Sequence, residues 1–318
     1  MSQTKITLWG IEVFVATAEE GSITAAARRL GASAATVSQQ LTNLEGAVGT
    51  ALMDRGARPV TLTPAGEMFL RRANIILNEA EQAQADLKLA DLSRMTRFRL
   101  GMIEDFDADV TPALLADMAV ELKNCRFLLE TGASHRLTDL LETRALDVIV
   151  AADMGQNKDA MISYPLMVEP FVAVVPRGAI TSDDVAKELR DMSLIHYTTR
   201  HYMGRMIADH LAQQNLTLNR RFELDSYHAI MAMVAQGAGW TITTPLGWMR
   251  AGRFCDLVDV HPLPFGPLSR SISLTARRDV LGDMPAGIAA QLRPKLQALI
   301  VDPAVKALPW LSGDMRLL

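Results

Sequence analysis

The side chains best suited to chemistry fall into two clusters. In the first, Ala35, Thr36, Ser38, Gln39, Thr42 and Asn43 form a run of small or hydrogen-bonding residues with no acidic group among them. The carboxamides of Gln39 and Asn43 can each donate to and accept from one adenine edge. Thr36 and Ser38 can reach a phosphate or a base edge, and the Ala35 methyl can contact a thymine methyl. Arg55 and Arg58 follow, suited to lie across phosphates or to enter a minor groove. The same polar residues would also serve as the solvated face of a helix. In the second cluster Glu104, Asp105 and Asp107 surround Phe106. These carboxylates suit a ligand with an amine or several hydroxyls, and an anionic ligand would need Arg200 or His201 to offset them; solvated loop carboxylates are the alternative. The six histidines form no HExxH or zinc spacing, and GxSxG and P-loop motifs do not occur. Gly237-Ala238-Gly239 lacks a third glycine and reads as a helix-to-strand turn. No catalytic residue, metal or cofactor is therefore expected, and the chain is not expected to be an enzyme.

The elements that position the first cluster are helical. Leu8, Ile11, Phe14, Val15 and Ala18 recur at helical spacing, and Gly21 ends that helix where a left-handed residue is easiest. Ser22 caps a short second helix with Ile23, Ala26, Ala27 and Leu30 on one face, and Gly31 stops it. Ser33 caps a third, whose buried stripe is Val37, Leu41, Leu44 and Val48. With Val37 inside and 3.6 residues per turn, Ala35, Gln39, Thr42 and Asn43 face outward, flanked by Thr36 and Ser38. Two short helices across Gly31-Ala32-Ser33 make a helix-turn-helix, and the alternating segment Arg58–Thr63 reads as a wing. Arg28 and Arg29 either touch a nucleic-acid backbone or are a solvated helix end. Thr63 and Pro64 then open a fourth helix. Along it Phe69, Ala73, Ile76, Ala80, Ala83, Leu87 and Ala90 recur by fours and threes, a narrow heptad seam that predicts self-association, with packing on its own domain as the alternative.

The second cluster belongs to α/β architecture, since from Arg97 short strands and helices alternate and Leu146–Ala152 is nearly all apolar. In open α/β sheets a ligand sits beyond the carboxyl ends of the strands. Those ends deliver Glu104, Asp105 and Phe106, then Thr131, Ala133 and Ser134, then Asp153. In a second lobe they deliver His196, Arg200 and Tyr202, and Thr243 with Thr244.

Length and composition bound the rest. The 318 residues suggest about two domains at roughly 150 each. A hydrophobic content of 49% excludes a disordered or collagen-like chain. Cys125 and Cys255 stand far apart without CxxC, and no leader-like apolar stretch opens the chain, so a reducing cytoplasm is expected. No run of 18 apolar residues is present, so no membrane partner is expected. The formal net charge is −4. Residues 1–72 carry seven Lys/Arg against six Asp/Glu, a net +1, so one such module would hold DNA weakly.

The run Phe14–Leu30, with Ser33, Val37-Ser38-Gln39-Gln40-Leu41, Leu44-Glu45, Arg55, Arg58 and Leu62-Thr63-Pro64-Ala65-Gly66, resembles the LysR-type transcriptional regulators. Pro165-Leu166, Pro170, Val174-Val175-Pro176, Gly237-Ala238-Gly239 and Thr244-Pro245 are similar to that family's effector domain. The resemblance implies a winged helix-turn-helix at 1–66, with Ser33 and the residues of the first cluster on DNA, and a linker (dimerisation) helix at 64–92. It further implies a two-lobed, periplasmic-binding-protein-like α/β domain at 93–318, with lobe I about 97–164 and 266–318 and lobe II about 165–265. The implied partners are promoter DNA, a small-molecule effector, a second copy of the chain in a dimer or tetramer, and RNA polymerase. Two departures bear on the reading surface: Ala34-Ala35 stand where many members have Gln-Pro, and Gln39 where an arginine is common. Where the family usually has Ser or Thr suited to a carboxylate effector, this chain has Asp105. A thiol-responsive member of the same family and a solute-binding module are the competing readings.

Overall fold

The computed structural model describes residues 5–86, 95–155, 159–278 and 280–318. Leu87 and Ala90 of the heptad seam lie outside them, and the Ala83 side chain is likewise outside the described set. The chain divides into two compact units, Met1–Leu92 with Thr143–Ala145, and Ser93–Glu142 with Leu146–Leu318.

The first unit contains α1 (Leu8–Glu20), α2 (Ile23–Arg29), α3 (Ala34–Val48), a hairpin of β1 (Met53–Asp54) and β2 (Thr61–Leu62), and α4 (Pro64–Asp86). The local signals act as their chemistry requires. Thr7, Ser22 and Ser33 each cap a helix through a side-chain oxygen that accepts a backbone N–H, and Thr63 Oγ1 accepts from Gly66 N at 3.0 Å at the start of α4. Gly21 and Gly49 close α1 and α3 in the left-handed region. Ile11, Phe14, Val37, Leu41, Leu44 and Ala73 are buried in one core. Leu8, placed by its spacing on the apolar face of α1, is instead exposed, because it sits in the first turn.

The start of α4 packs closely on the hairpin. A Cβ on Gly66 would lie 2.0 Å from the Leu52 carbonyl oxygen. Gly66→Ala must therefore push backbone apart, and a loss of about 1–3 kcal/mol is expected in a urea melt.

The second unit contains β3 (Arg97–Met102), α5 (Val110–Glu121), β4 (Arg126–Thr131), α6 (Ser134–Glu142), β5 (Val148–Ala152), β6 (Met161–Pro170), β7 (Val172–Pro176), α7 (Val185–Asp191) and β8 (Leu194–Tyr197). After these come α8 (Tyr202–Gln213), β9 (Arg220–Leu224), α9 (Tyr227–Ala235), β10 (Thr241–Thr243), α10 (Pro245–Arg250), β11 (Val258–Pro262), β12 (Ser269–Arg277), α11 (Met284–Leu296), α12 (Asp302–Ala307) and β13 (Arg316–Leu317). One lobe is built on a six-stranded sheet in the order β13-β6-β12-β5-β3-β4. The other holds β10-β7-β11 and the pair β8-β9, joined by a parallel bridge from Leu194 to Trp240.

The six-stranded sheet is mixed rather than purely parallel. β3 runs parallel to β4 and β5, whereas β12 runs antiparallel to β5 and to β6. β6 stays in this sheet to Pro170, so the chain passes to the other lobe at Phe171, a few residues beyond the 165 read from sequence. A register shift between Ile272 and Ser273 moves their partners from Met167 to Pro165. Such an irregularity is how a strand interior tolerates a residue with no N–H to donate.

Candidate functional site

On α3 the buried residues are Val37, Leu41 and Leu44, while Ala35, Thr36, Gln39 and Thr42 are exposed and Ser38 and Asn43 half-buried. The outward face is therefore uncharged and rich in hydrogen-bonding groups. Gln39 Nε2 donates to Asn43 Oδ1 at 3.0 Å, which holds the two carboxamides side by side. Ser33 Oγ accepts from Thr36 N at 3.1 Å and lies 2.8 Å from Thr36 Oγ1, so Ser33 serves first as the helix cap. Arg58 is exposed between the hairpin strands.

Two arginines are engaged within the unit itself. Arg55 pairs with Glu45 Oε2 at 2.5 Å and donates to Thr42 Oγ1 at 3.0 Å, so it braces the hairpin against α3. Arg29 pairs with Glu19 Oε2 at 2.6 Å, joining α2 to the end of α1. Neither pairing could be read locally, because the partners are ten residues away.

The heptad seam divides. Phe69 packs edge-on against Phe14 with ring centroids 5.3 Å apart, and Ala73 is 0% exposed. Both belong to the core of their own unit, so they correct the expectation that the seam is a free interface along its whole length. The heptad pattern signals an apolar stripe but not which neighbour covers it. Ile76, 39% exposed, and the half-buried Ala80 remain on the surface.

At the junction of the two lobes the carboxylates are not free. Asp105 Oδ2 accepts from Arg270 Nη2 at 3.0 Å, and Arg270 Nε donates to Glu169 Oε1 at 2.6 Å. Arg270 Nη2 also lies 3.4 Å from Thr244 Oγ1, and Glu169 Oε2 accepts from Leu246 N at 3.3 Å. Glu169 and Arg270 sit where β6 and β12 leave one lobe for the other. Burial pushes the Glu169 carboxyl up, against the pull of Arg270. Asp107 pairs with Arg250, whose Nε is 3.4 Å from the Tyr227 hydroxyl. The offsetting cations are thus Arg270 and Arg250, not Arg200 or His201. Arg200 instead reaches Thr198 Oγ1 at 3.4 Å.

Several other residues placed here from sequence have different surroundings. Phe106 is fully buried in the hydrophobic core beneath the Glu104–Phe106 turn. His196 is 3% exposed within β8, with Nδ1 against the Tyr197 carbonyl, and therefore does not line the junction. Ser134 Oγ accepts from Ala152 N at 3.1 Å and ties α6 to β5. Thr243 is buried 3.3 Å from the Tyr197 hydroxyl. Glu104 and Asp153 are exposed, and Thr131 and Ala133 are half-buried. A cavity of about 360 Å³ opens on the first lobe, over Ile149, Ser163 and Thr275. Of the residues expected from the strand ends, Ala152 and Asp153 line it.

Two further contacts cross between the lobes. The Tyr202 hydroxyl donates to the Asp153 carbonyl at 3.2 Å, and the His135 and His201 rings lie 5.7 Å apart. Burial, then His201 and Arg205, hold His135 below its ordinary value, opposed by Asp139. Burial lowers His196 in the same direction. A depressed folded pKa means that the unfolded chain takes up the proton more readily, so stability is lost as pH falls through the ordinary 6.5 and below. The midpoint of thermal unfolding should drop between pH 7.5 and 5.5, and His135→Asn should remove part of that slope.

Residues 8–67 match the family model described as "Bacterial regulatory helix-turn-helix protein, lysR family", and residues 93–285 match "LysR substrate binding domain". The chain belongs to the LysR family. It is a LysR-type transcriptional regulator with a helix-turn-helix and an effector-binding domain. Among LysR-type relatives, a "Probable hydrogen peroxide-inducible genes activator" of Mycobacterium xenopi is 31% identical over 172 residues, covering 54% of this chain and 90% of the relative. The solved structure of a mutant OxyR of Corynebacterium glutamicum with bound H2O2 has a TM-score of 0.57 at 25% identity, covering 95% of this chain and 97% of that one. Full-length CbnR, solved in complex with its target DNA, shares the fold with a TM-score of 0.62 at 18% identity, covering 91% and 100%. Among the described residues no helix is long and apolar enough to cross a membrane.

Sequence reasoning missed the residues that organise the lobe junction of this LysR-type chain: Glu169, Arg250, Arg270, Tyr197 and Tyr227. Their partners are distant in sequence, 165 residues in the case of Arg270 and Asp105, so no local spacing signals them.

Proposed function

We propose that this regulator reads double-stranded promoter DNA with the outward face of α3, and that a small-molecule effector at the lobe junction sets how tightly it binds. The DNA-binding part is 1–66, the self-association part 64–92 and the effector part 93–318. The observation that carries the reading is the sorting of α3. Its apolar residues are inside, while Ala35, Thr36, Gln39 and Thr42 form an uncharged, exposed face on the second helix of a helix-turn-helix. Thr36, Ser38, Gln39, Asn43 and Ala35 address base edges, and Arg58 takes phosphate or the minor groove. CbnR, a family member solved with its target DNA, supports the same use of this unit. Self-association runs through Ile76 and Ala80, RNA polymerase is the further partner at the promoter, and the cytoplasm is the compartment. The chain performs no catalytic step.

The peroxide response in the relatives' names does not extend to Cys125 and Cys255. Both thiols are half-buried and pushed up by burial, the opposite of the activation a redox-sensing thiol needs. This favours a bound molecule over an oxidant as the effector.

Gln39→Ala with Asn43→Ala tests the DNA reading. Each lost paired contact should cost about 1–3 kcal/mol against the specific site, while the salt slope stays unchanged because no phosphate contact is removed. Equal affinity of the variant and the parent for specific DNA would reject this face as the reader.

A further inference from the structure

Two histidines meet across the lobes. His135 lies in the first turn of α6 in one lobe and His201 immediately precedes α8 in the other, with ring centroids 5.7 Å apart. The neighbouring bond from the Tyr202 hydroxyl to the Asp153 carbonyl makes this edge one of the ties between the lobes. The arrangement suits neutral rings. His135 Nδ1 is buried, and no protein group pairs with it. An imidazolium donates from both nitrogens, so here one of its donors would be shut away from any acceptor. Both rings also sit at helix N-termini, where positive charge is disfavoured. The surrounding charges are sorted by lobe. Facing His135 from the other lobe are His201 and Arg205, which repel a cation, whereas Asp139, which attracts one, belongs to its own helix α6. Arg205 is held by the Thr199 and Arg200 carbonyls at 3.2 and 2.9 Å. The remaining charged groups nearby are engaged within their own lobes: Arg136 with Glu130, Asp153 with Gly155 N, Arg200 with Thr198, and Glu223 with Thr199 N.

We propose that the His135–His201 contact is a proton-operated latch: protonation of the pair parts the lobes at this edge, so that acid acts on the regulator as a second signal beside its effector. A proton on His135 draws the ring toward Asp139 of its own lobe and away from His201 and Arg205 of the other, so the added charge works on the contact between lobes rather than on either core. Parting the lobes gives the second ring nitrogen access to water. Imidazole changes charge between about pH 5 and 8, so the latch works close to neutrality. Each pKa unit by which the closed contact lowers a ring shifts the balance of closed and open forms about tenfold toward open once that ring is protonated. The other histidines are placed differently. His196 is enclosed in β8, and His210 Nε2 lies 2.9 Å from the Phe265 carbonyl within the second lobe. His135 is the one histidine of the first lobe, and residues 1–92 contain none. A histidine-linked change in promoter affinity therefore has to begin in the effector-binding unit. For its effect at a promoter, though not for the latch itself, the proposal rests on the DNA-reading role of α3.

The test uses the full-length chain with isotope-labelled histidine rings, titrated by NMR from about pH 8 to about pH 5. His201→Asn takes the facing ring away and should raise the His135 midpoint by about half a unit or more. Arg205→Gln should raise it as well, and His201→Gln takes the place of His201→Asn if the latter does not fold. Amide hydrogen exchange, corrected for its intrinsic pH dependence, reads the lobes themselves. In the parent the segments 134–139 and 199–205 should lose protection about fivefold or more between roughly pH 7.5 and 5.5, and His201→Asn should lose less than about half as much. Promoter Kd of the parent, measured by anisotropy, should change about fivefold or more over the same range, and that of His135→Asn with His201→Asn less than about twofold. A His135 midpoint that ignores His201→Asn, protection that is the same at both pH values, or a promoter Kd that stays flat with pH would each overturn the latch. A parent that fails to distinguish its site from scrambled DNA at every pH discards the promoter reading instead, and the midpoint and exchange results then decide the latch without it.

Discussion

Ile76→Asp combined with Ala80→Asp is expected to leave the chain monomeric and to weaken promoter binding by about 100-fold or more. Residues 1–72 carry a net +1, and two of their seven cations, Arg29 and Arg55, are paired with Glu19 and Glu45 inside the unit. Most nonspecific affinity comes from counterions released at phosphates, so a single copy has little to draw on. Two linked copies raise the effective concentration of the second contact, and avidity of this kind is worth roughly 10²–10⁴. Ile76 and Ala80 are the seam positions that the unit's own core leaves on the surface. Placing carboxylates there sets like charges against each other across a narrow apolar seam. Sedimentation should show the loss of dimers, and fluorescence anisotropy the loss of affinity. A monomer that bound its site as tightly as the parent would exclude avidity as the source of affinity.

Arg270→Met is expected to be the most damaging single change in the effector-binding unit. It leaves Glu169 buried with no cation, and breaking a buried pair by removing one partner typically costs about 3–5 kcal/mol. In a unit of this size that corresponds to roughly 10 °C in the unfolding midpoint. The deficit should depend on pH in a defined direction. Burial already raises the Glu169 carboxyl above its ordinary 4.5, and without Arg270 it rises further. A carboxyl whose folded pKa is raised holds its proton more tightly when folded, so its contribution is present at acid pH and lost as pH climbs through the raised value. The gap between variant and parent should be smallest near pH 4.5 and widen toward neutrality. A pH-independent gap would mean that packing, not charge, holds the junction.

What was legible in the sequence was local. Caps, glycine stops and the 3.6-residue apolar stripe of α3 depend on neighbours within a turn or two, so Ser22, Ser33, Gly21 and Val37 announced their roles directly. Strand β5, buried on both faces, was equally visible as an unbroken apolar run. Strand β6 was harder, because Pro165 argues against a strand interior until the register shift opposite it is seen. The lobe junction was half legible. The strand-end rule led to Asp105 but also to His196 and Phe106, whose side chains turn into protein rather than toward a ligand. It could not supply Arg270 or Glu169, since they are brought to Asp105 only by two strands crossing between lobes. The seam on α4 shows the complementary failure. Phe69 and Ala73 carry the same apolar signature as Ile76, and only tertiary packing against Phe14 tells them apart.

Sequence-specific DNA binding by the α3 face can be decided by fluorescence anisotropy. The purified protein would be titrated on the DNA flanking its own coding region and on a scrambled sequence of equal length, over a salt series. Tighter binding to the flanking DNA, weakening linearly in log Kd against log salt, is the predicted result. Equal, weak binding to both sequences at every salt concentration would contradict it.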